Sequence, residues 1–191
     1  PPAHSSGWPP LSWPPVVMTL VGAATAARMP REAAELAYRY IDGSYRSMDS
    51  REPDEQGGLP GVTREYRQLV DAGKRERIYA GAGIEGYGWG ALSIHLILRY
   101  LLGLREVEAR KIIVAPALPQ ALRRAGAVYR VEPVQWGDYV LSVECVVRDE
   151  QGYTMRLRCA KREQSVPAQT YEWQGIWGEE RTFSLPDSAA S

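Results

Sequence analysis

The stretch Gly86-Tyr87-Gly88-Trp89-Gly90-Ala91-Leu92 leads directly into an apolar run at residues 93–104. Glycines allow a backbone to approach a ligand closely, and flat aromatic rings provide apolar faces that suit the C–H side of a sugar. The run that follows is long and apolar enough to form a buried helix. We therefore interpret this stretch as the mouth of a ligand site at the start of a helix.

Two further helices are predicted before this mouth. Trp13-Pro14-Pro15 leads into an apolar segment that ends at Met29, and Pro30 opens a second segment that reaches about Met48. Proline suits the first turn of a helix, because its missing N–H would be unpaired there anyway. In the second segment apolar residues recur every three to four positions, which predicts an amphipathic helix packed on a core. Residues 49–86 are rich in glycine and are predicted to form a long functional loop.

After about residue 110 the pattern changes to one that predicts strands. Residues 111–114 and 128–131 are short strand candidates, and residues 139–147 and 153–159 alternate between apolar and polar side chains. The polar turn between the last two contains Gly152, as in an antiparallel hairpin. The sequence thus predicts three regions, which are helices at 1–109, a small antiparallel β tail at 110–185 and a disordered end at 186–191.

Composition argues against several classes of partner. The chain has 23 basic and 23 acidic residues, and no block of like charge, so nucleic acid and membrane surfaces are poor candidates. The longest apolar runs are shorter than the roughly 20 residues that a bilayer requires. His4 and His95 have no second ligand at metal-binding spacing, so we expect no metal and no cofactor. Cys145 and Cys159 share one parity of the predicted hairpin, which favours buried reduced thiols over the alternative of a disulfide.

The order of these features resembles the C-terminal part of trehalase-like glycoside hydrolases, most closely their mannosylglycerate-hydrolase-like members. The resemblance covers about residues 7–145 and rests mainly on the aromatic-glycine motif and on the Trp-Pro-Pro entry to the first helix. It implies a mainly α fold, the closing portion of an (α/α)6 toroid of helical hairpins, followed by a small antiparallel β tail. Since the chain begins at Pro1 without a leader, we expect a piece of a larger protein.

The resemblance also implies a function, as part of an inverting glycoside hydrolase that cleaves an α-glucoside or an α-mannoside. The family places its base in the loop before the aromatic-glycine helix, and Glu65-Tyr66-Arg67, with Gly73 further on, fits that outline. The family's acid is an aspartate that would lie in the upstream remainder of the same polypeptide. The expected partners are therefore a carbohydrate substrate and that N-terminal remainder, and the isolated chain should be inactive.

The residues leave alternatives open for the site. An inverting hydrolase keeps its acid and base about 6.5 to 9.5 Å apart, so that a water molecule fits between them. Glu85 is the competing base, because it lies two residues before Tyr87 and nearer to the proposed mouth. Four aromatic residues are the expected sugar contacts or, alternatively, part of the core: Trp8, Trp13, Tyr87 and Trp89. The alternative function is a non-catalytic carbohydrate-binding or structural helical module.

Overall fold

The computed structural model describes residues 11–12, 14–48, 64–70, 78–85, 92–108, 110–162 and 167–186. These residues contain three α-helices and ten strands, and the strands form three sheets in which every pairing is antiparallel. The chain divides into two compact units at residues 1–98 and 99–191. We refer to them as the N-terminal unit and the C-terminal unit.

Two packed helices begin the described part of the N-terminal unit. Helix α1 is Pro14–Ala26 and helix α2 is Pro30–Met48, so both begin with a proline and both confirm the sequence prediction. Between them Arg28 adopts a φ of 59°, and the amide of Met29 donates to the carbonyl of Ala24 at 2.9 Å. Bonds of this kind satisfy carbonyl groups at the end of a helix and reverse the chain.

A small sheet accompanies these helices. Strand β2 (Arg64–Val70) lies between β1 (Leu11–Ser12) and β3 (Ile78–Glu85). Helix α2 packs against β3 and against helix α3 (Leu92–Leu96) through a face lined by small and aromatic residues: Ala33, Ala34, Ala37, Tyr40, Ile41 and Ser44. The sheet occupies part of the segment at 49–86, so the prediction that this segment is one long loop is wrong.

The C-terminal unit is built from two sheets. The first has the order β10–β5–β4, and its strands are β4 (Arg105–Glu108), β5 (Lys111–Val114) and β10 (Arg181–Ser184). The second has the order β6–β7–β8–β9, and its strands are β6 (Val128–Trp136), β7 (Tyr139–Val147), β8 (Gly152–Lys161) and β9 (Gln169–Ile176). The strands at 111–114 and 128–131 and the hairpin at 139–159 are thereby confirmed, the second as part of a longer strand.

The core of the C-terminal unit lies between these two sheets. Alternate residues of β7 and β8 are fully buried, as the period-2 pattern requires. Trp173 of β9 and Phe183 of β10 bring their ring centroids within 4.6 Å, so side chains of the two sheets meet face to face. The buried side chains of β7, β8 and β5 include Leu141, Val143, Met155, Leu157, Ile112 and Val114. The C-terminal unit is therefore a β-sandwich.

These observations correct the predicted fold class. The chain is not mainly α and is not the closing portion of an (α/α)6 toroid, because its described residues combine three helices with ten strands. The predicted last helix is short: α3 ends at Leu96, a π-helical turn continues to Leu101, and Gly103 already turns with a φ of 71°. The architecture is α+β, so the trehalase-like, six-hairpin description of the chain is wrong.

The two cysteines of the sandwich are free and buried. Cys159 is opposite Leu141 in the β7–β8 register, four residues from Cys145, so the two Cα atoms lie about 13 Å apart along the strands. A disulfide needs Cα atoms within about 7 Å. Burial raises the pKa of the Cys145 thiol to about 12 and that of the Cys159 thiol to about 11.

Both thiols should therefore be unreactive in the native protein. We expect an aromatic disulfide reagent at pH 8 to modify neither cysteine while the sandwich is folded, and to modify both at the rate of global unfolding. The measurement is the time course of labelling with and without denaturant. Rapid labelling of either residue under native conditions would contradict the burial of the β7–β8 hairpin.

Candidate functional site

One end of the three-stranded sheet brings separate parts of the N-terminal unit together. In the antiparallel register Ser12 pairs with Arg67, and Arg64 pairs with Glu85. The chain therefore leaves β1, enters β2 and leaves β3 at the same end of the sheet. We call this end, formed by the backbone of Ser12, Arg64, Glu65 and Glu85, the carboxylate end.

The carboxylate end carries both candidate bases. Arg64 pairs with Glu85 and Tyr66 with Ala82, so the two residues Gly83 and Ile84 lie opposite Glu65 alone. Such an irregularity is a β-bulge, a device that locally bends a strand and is over-represented next to active sites. From strand spacing, the Cα atoms of Glu65 and Glu85 are about 6 Å apart. The two glutamates thus lie on adjacent strands, beside the bulge.

Arg64 is a residue that the sequence analysis did not single out. Its register places it directly across the sheet from Glu85. The signal that would have identified Arg64 is the pairing of β2 with β3, which becomes visible only when both segments are recognised as strands.

The predicted sugar contacts lie outside the described residues. Trp8, Trp13, Tyr87 and Trp89 all fall in the gaps between the described ranges. The sequence alone puts Trp13 immediately after Ser12, and Tyr87 two residues after Glu85. The end of β1 that precedes Trp13 and the end of β3 that precedes Tyr87 both belong to the carboxylate end. The roles of the four residues remain predictions.

The aromatic residues of the sandwich have another role. Trp173, Trp177 and Tyr153 are 8%, 5% and 0% exposed, so their rings belong to the core and offer no open face to a sugar. Gly175, between the two tryptophans, is needed there because a Cβ atom would lie 2.6 Å from the Tyr153 hydroxyl oxygen. These three rings are therefore not open platforms of this kind.

The described part of the chain offers neither a metal site nor a membrane-spanning helix. Within it, no group of three or more His, Cys, Asp and Glu side chains is arranged to hold a metal ion. None of the helices it contains has the length and apolar character needed to cross a bilayer. At the carboxylate end the backbone register places the two candidate bases, Glu65 and Glu85, on adjacent strands.

Comparison with protein families, curated proteins and solved structures finds no match for this chain. The expected membership of the trehalase-like glycoside hydrolases therefore has no support from a family match, and the α+β fold contradicts it. The support for the candidate site therefore comes from its own residues, which are two glutamates and an arginine at the ends of paired strands.

Proposed function

We propose that this chain forms part of an inverting glycoside hydrolase that cleaves an α-glucoside or an α-mannoside. A glutamate at the carboxylate end would activate the attacking water. The observation that supports this proposal is the β2–β3 register, which puts Glu65 and Glu85 on adjacent strands beside a bulge. The proposal depends on this placement and on the neighbouring aromatic-glycine sequence, with no appeal to a helical toroid.

The chemistry assigns different protonation states to the two catalytic groups. The base must be ionised in order to accept a proton from water, while the acid must be protonated in order to donate one to the leaving oxygen. Glu65 is our first candidate for the base, and Glu85 is the alternative. We propose that the acid comes from another part of the same polypeptide, and that the isolated chain binds sugar without hydrolysing it.

The experiment is an assay of the active enzyme on aryl α-glucosides and aryl α-mannosides, with the anomer of the first product followed by NMR. A base that acts through water inverts the anomeric centre, so the first product should be the β-anomer. Retention of configuration would exclude this role for the glutamates. The same assay on the isolated chain, free of contaminating enzymes, should show no turnover.

A second function is favoured by a different observation, the exposed surface of helix α1. The sequence of α1 contains no ionisable residue, and only Pro14 and Val21 are buried. Val16 is 54% exposed and Leu20 is 52% exposed. The hydroxyl of Thr19, on the same face, donates to the carbonyl of Pro15 at 3.0 Å, which leaves the face apolar. Apolar faces of this kind mark surfaces for other proteins or segments, as in a non-catalytic structural module.

This apolar face should be detectable in solution. We expect the chain to bind a hydrophobic fluorescent dye, and Leu20→Lys combined with Val16→Lys to reduce that binding severalfold because it introduces charge into the face. Glu32→Lys is the matched control, since it adds positive charge at an exposed position of α2. Equal dye binding by all three proteins would show that α1 is not the exposed apolar surface.

A further inference from the structure

The outer face of the four-stranded sheet carries a row of four alternating charges, one on each strand. Arg130 of β6 pairs in register with Glu144 of β7, Glu144 with Arg156 of β8, and Arg156 with Glu172 of β9. Read across the sheet, the charges are positive, negative, positive and negative. We call these four residues the charge row.

The charge row is paired within the sheet, and three of its four side chains stay about half exposed, while that of Glu144 is 16% exposed. The Arg130 guanidinium contacts the Glu144 carboxylate. Arg156 lies between two carboxylates, with its Nη1 atom 3.5 Å from Glu144 Oε1 and its Nη2 atom 3.0 Å from Glu172 Oε2. Hydrogen bonding from Arg130 lowers the pKa of the Glu144 carboxyl, which favours the ionised form of that group. The side chains of Arg130, Arg156 and Glu172 nevertheless remain 55%, 54% and 54% exposed.

We propose that this sheet face binds the same face of a second copy of the chain. A two-fold axis parallel to the strands exchanges β6 with β9 and β7 with β8. Such an axis places Arg130 opposite Glu172 of the second copy, and Glu144 opposite Arg156 of the second copy. All four contacts join opposite charges, so the charge row is complementary to itself.

The same face has further features that suit a protein partner. Val128 and Ile176 lie on it and are 55% and 60% exposed, so the face also presents large apolar side chains to solvent. Four strands of about nine residues cover about 550 Å², so two copies would bury about 1,100 Å² in total. This area is at the lower end of specific interfaces, where weak and transient complexes lie.

A charge exchange between the two edge strands tests the proposal. Arg130 and Glu172 are about 14 Å apart within one chain, three strand spacings, so they do not contact each other. Arg130→Glu alone and Glu172→Arg alone should each weaken the dimer about tenfold or more, because each puts like charges opposite each other twice. The double variant restores opposite charges across the two-fold axis, and its dissociation constant should return to within about threefold of the original.

The measurement is sedimentation equilibrium as a function of concentration, with thermal melting to show that each variant is folded. Because both substitutions put like charges beside each other within the sheet, any effect confined to one chain would make the double variant worse than either single variant. A double variant that dissociates more than the single variants would overturn the proposal. A wild-type chain that remains monomeric up to about 100 μM would also overturn it.

Discussion

Replacing Gly103 by alanine should prevent the C-terminal unit from folding stably. Gly103 has a φ of 71°, which alone costs an alanine about 1 kcal/mol. An added Cβ atom would also lie 2.1 Å from the carbonyl oxygen of Ala115. The two segments are held together there, since the amide of Ala115 donates to the carbonyl of Gly103 at 3.1 Å and that of Ala117 to Leu101 at 3.0 Å. Backbone cannot move aside cheaply, so we expect a loss of at least about 3 kcal/mol.

Gly126→Ala is the matched control for this substitution. Gly126 also has a positive φ, of 80°, but an added Cβ atom there would meet no atom within 4 Å. The Gly126→Ala variant should therefore be destabilised only by the conformational cost of the positive φ, about 1 kcal/mol. Denaturant unfolding of the two variants measures the difference, which isolates the collision with Ala115. Equal stability of the two variants would contradict the close approach of these segments.

The sandwich was partly predictable because its sequence signals are local. Residues 139–147 and 153–159 alternate strictly, and the turn between them is closed by the Asp149 carboxylate, which accepts hydrogen bonds from the amides of Gln151 and Gly152. Both signals can be recognised without knowledge of the partner strands. Strand β10 was missed because its partner, β5, is distant in sequence. Strand β9 was also missed, although it pairs with the preceding strand β8.

The sheet of the N-terminal unit was not predictable in the same way. Strand β3 reads Ile-Tyr-Ala-Gly-Ala-Gly-Ile-Glu, and glycine and alanine have low strand propensity. Its glycines indicate a loop when the sequence is read alone, whereas pairing with β2 and packing against α2 make it a strand. The error in fold class follows directly, because a loop between helices is compatible with a toroid and a sheet is not.

The failure to recognise β2 and β3 as paired strands also limited the prediction of the site. Sequence chemistry selected Glu65 and Glu85 as alternatives, but it treated them as two positions along one loop. The register instead makes them neighbours on adjacent strands, with Arg64 opposite Glu85. Proximity in space depends on pairing, and pairing is a non-local property that spacing along the chain does not report.

Glu65→Gln should lower kcat of the active enzyme by about 10² to 10⁴-fold while leaving KM for the sugar nearly unchanged. Glutamine keeps the size of the side chain and one hydrogen-bonding oxygen, but it cannot accept the proton of the attacking water. The substitution should therefore slow only the chemical step. Kinetics on aryl α-glucosides and aryl α-mannosides measure both parameters, and Glu32→Gln, at an exposed position of α2, is the control.

Glu85→Gln separates the alternatives, because the two glutamates are neighbours in the sheet and only one of them has Arg64 opposite it. If Glu65 is the base, Glu85→Gln should alter kcat less than about tenfold; if Glu85 is the base, the two results should be exchanged. A large loss in both variants, with thermal melting showing that both are folded, would contradict a single catalytic base at the carboxylate end. Parental turnover in both variants would show that neither glutamate is the catalytic base. The alternative function, a structural module that binds through the apolar surface of α1, would then be favoured.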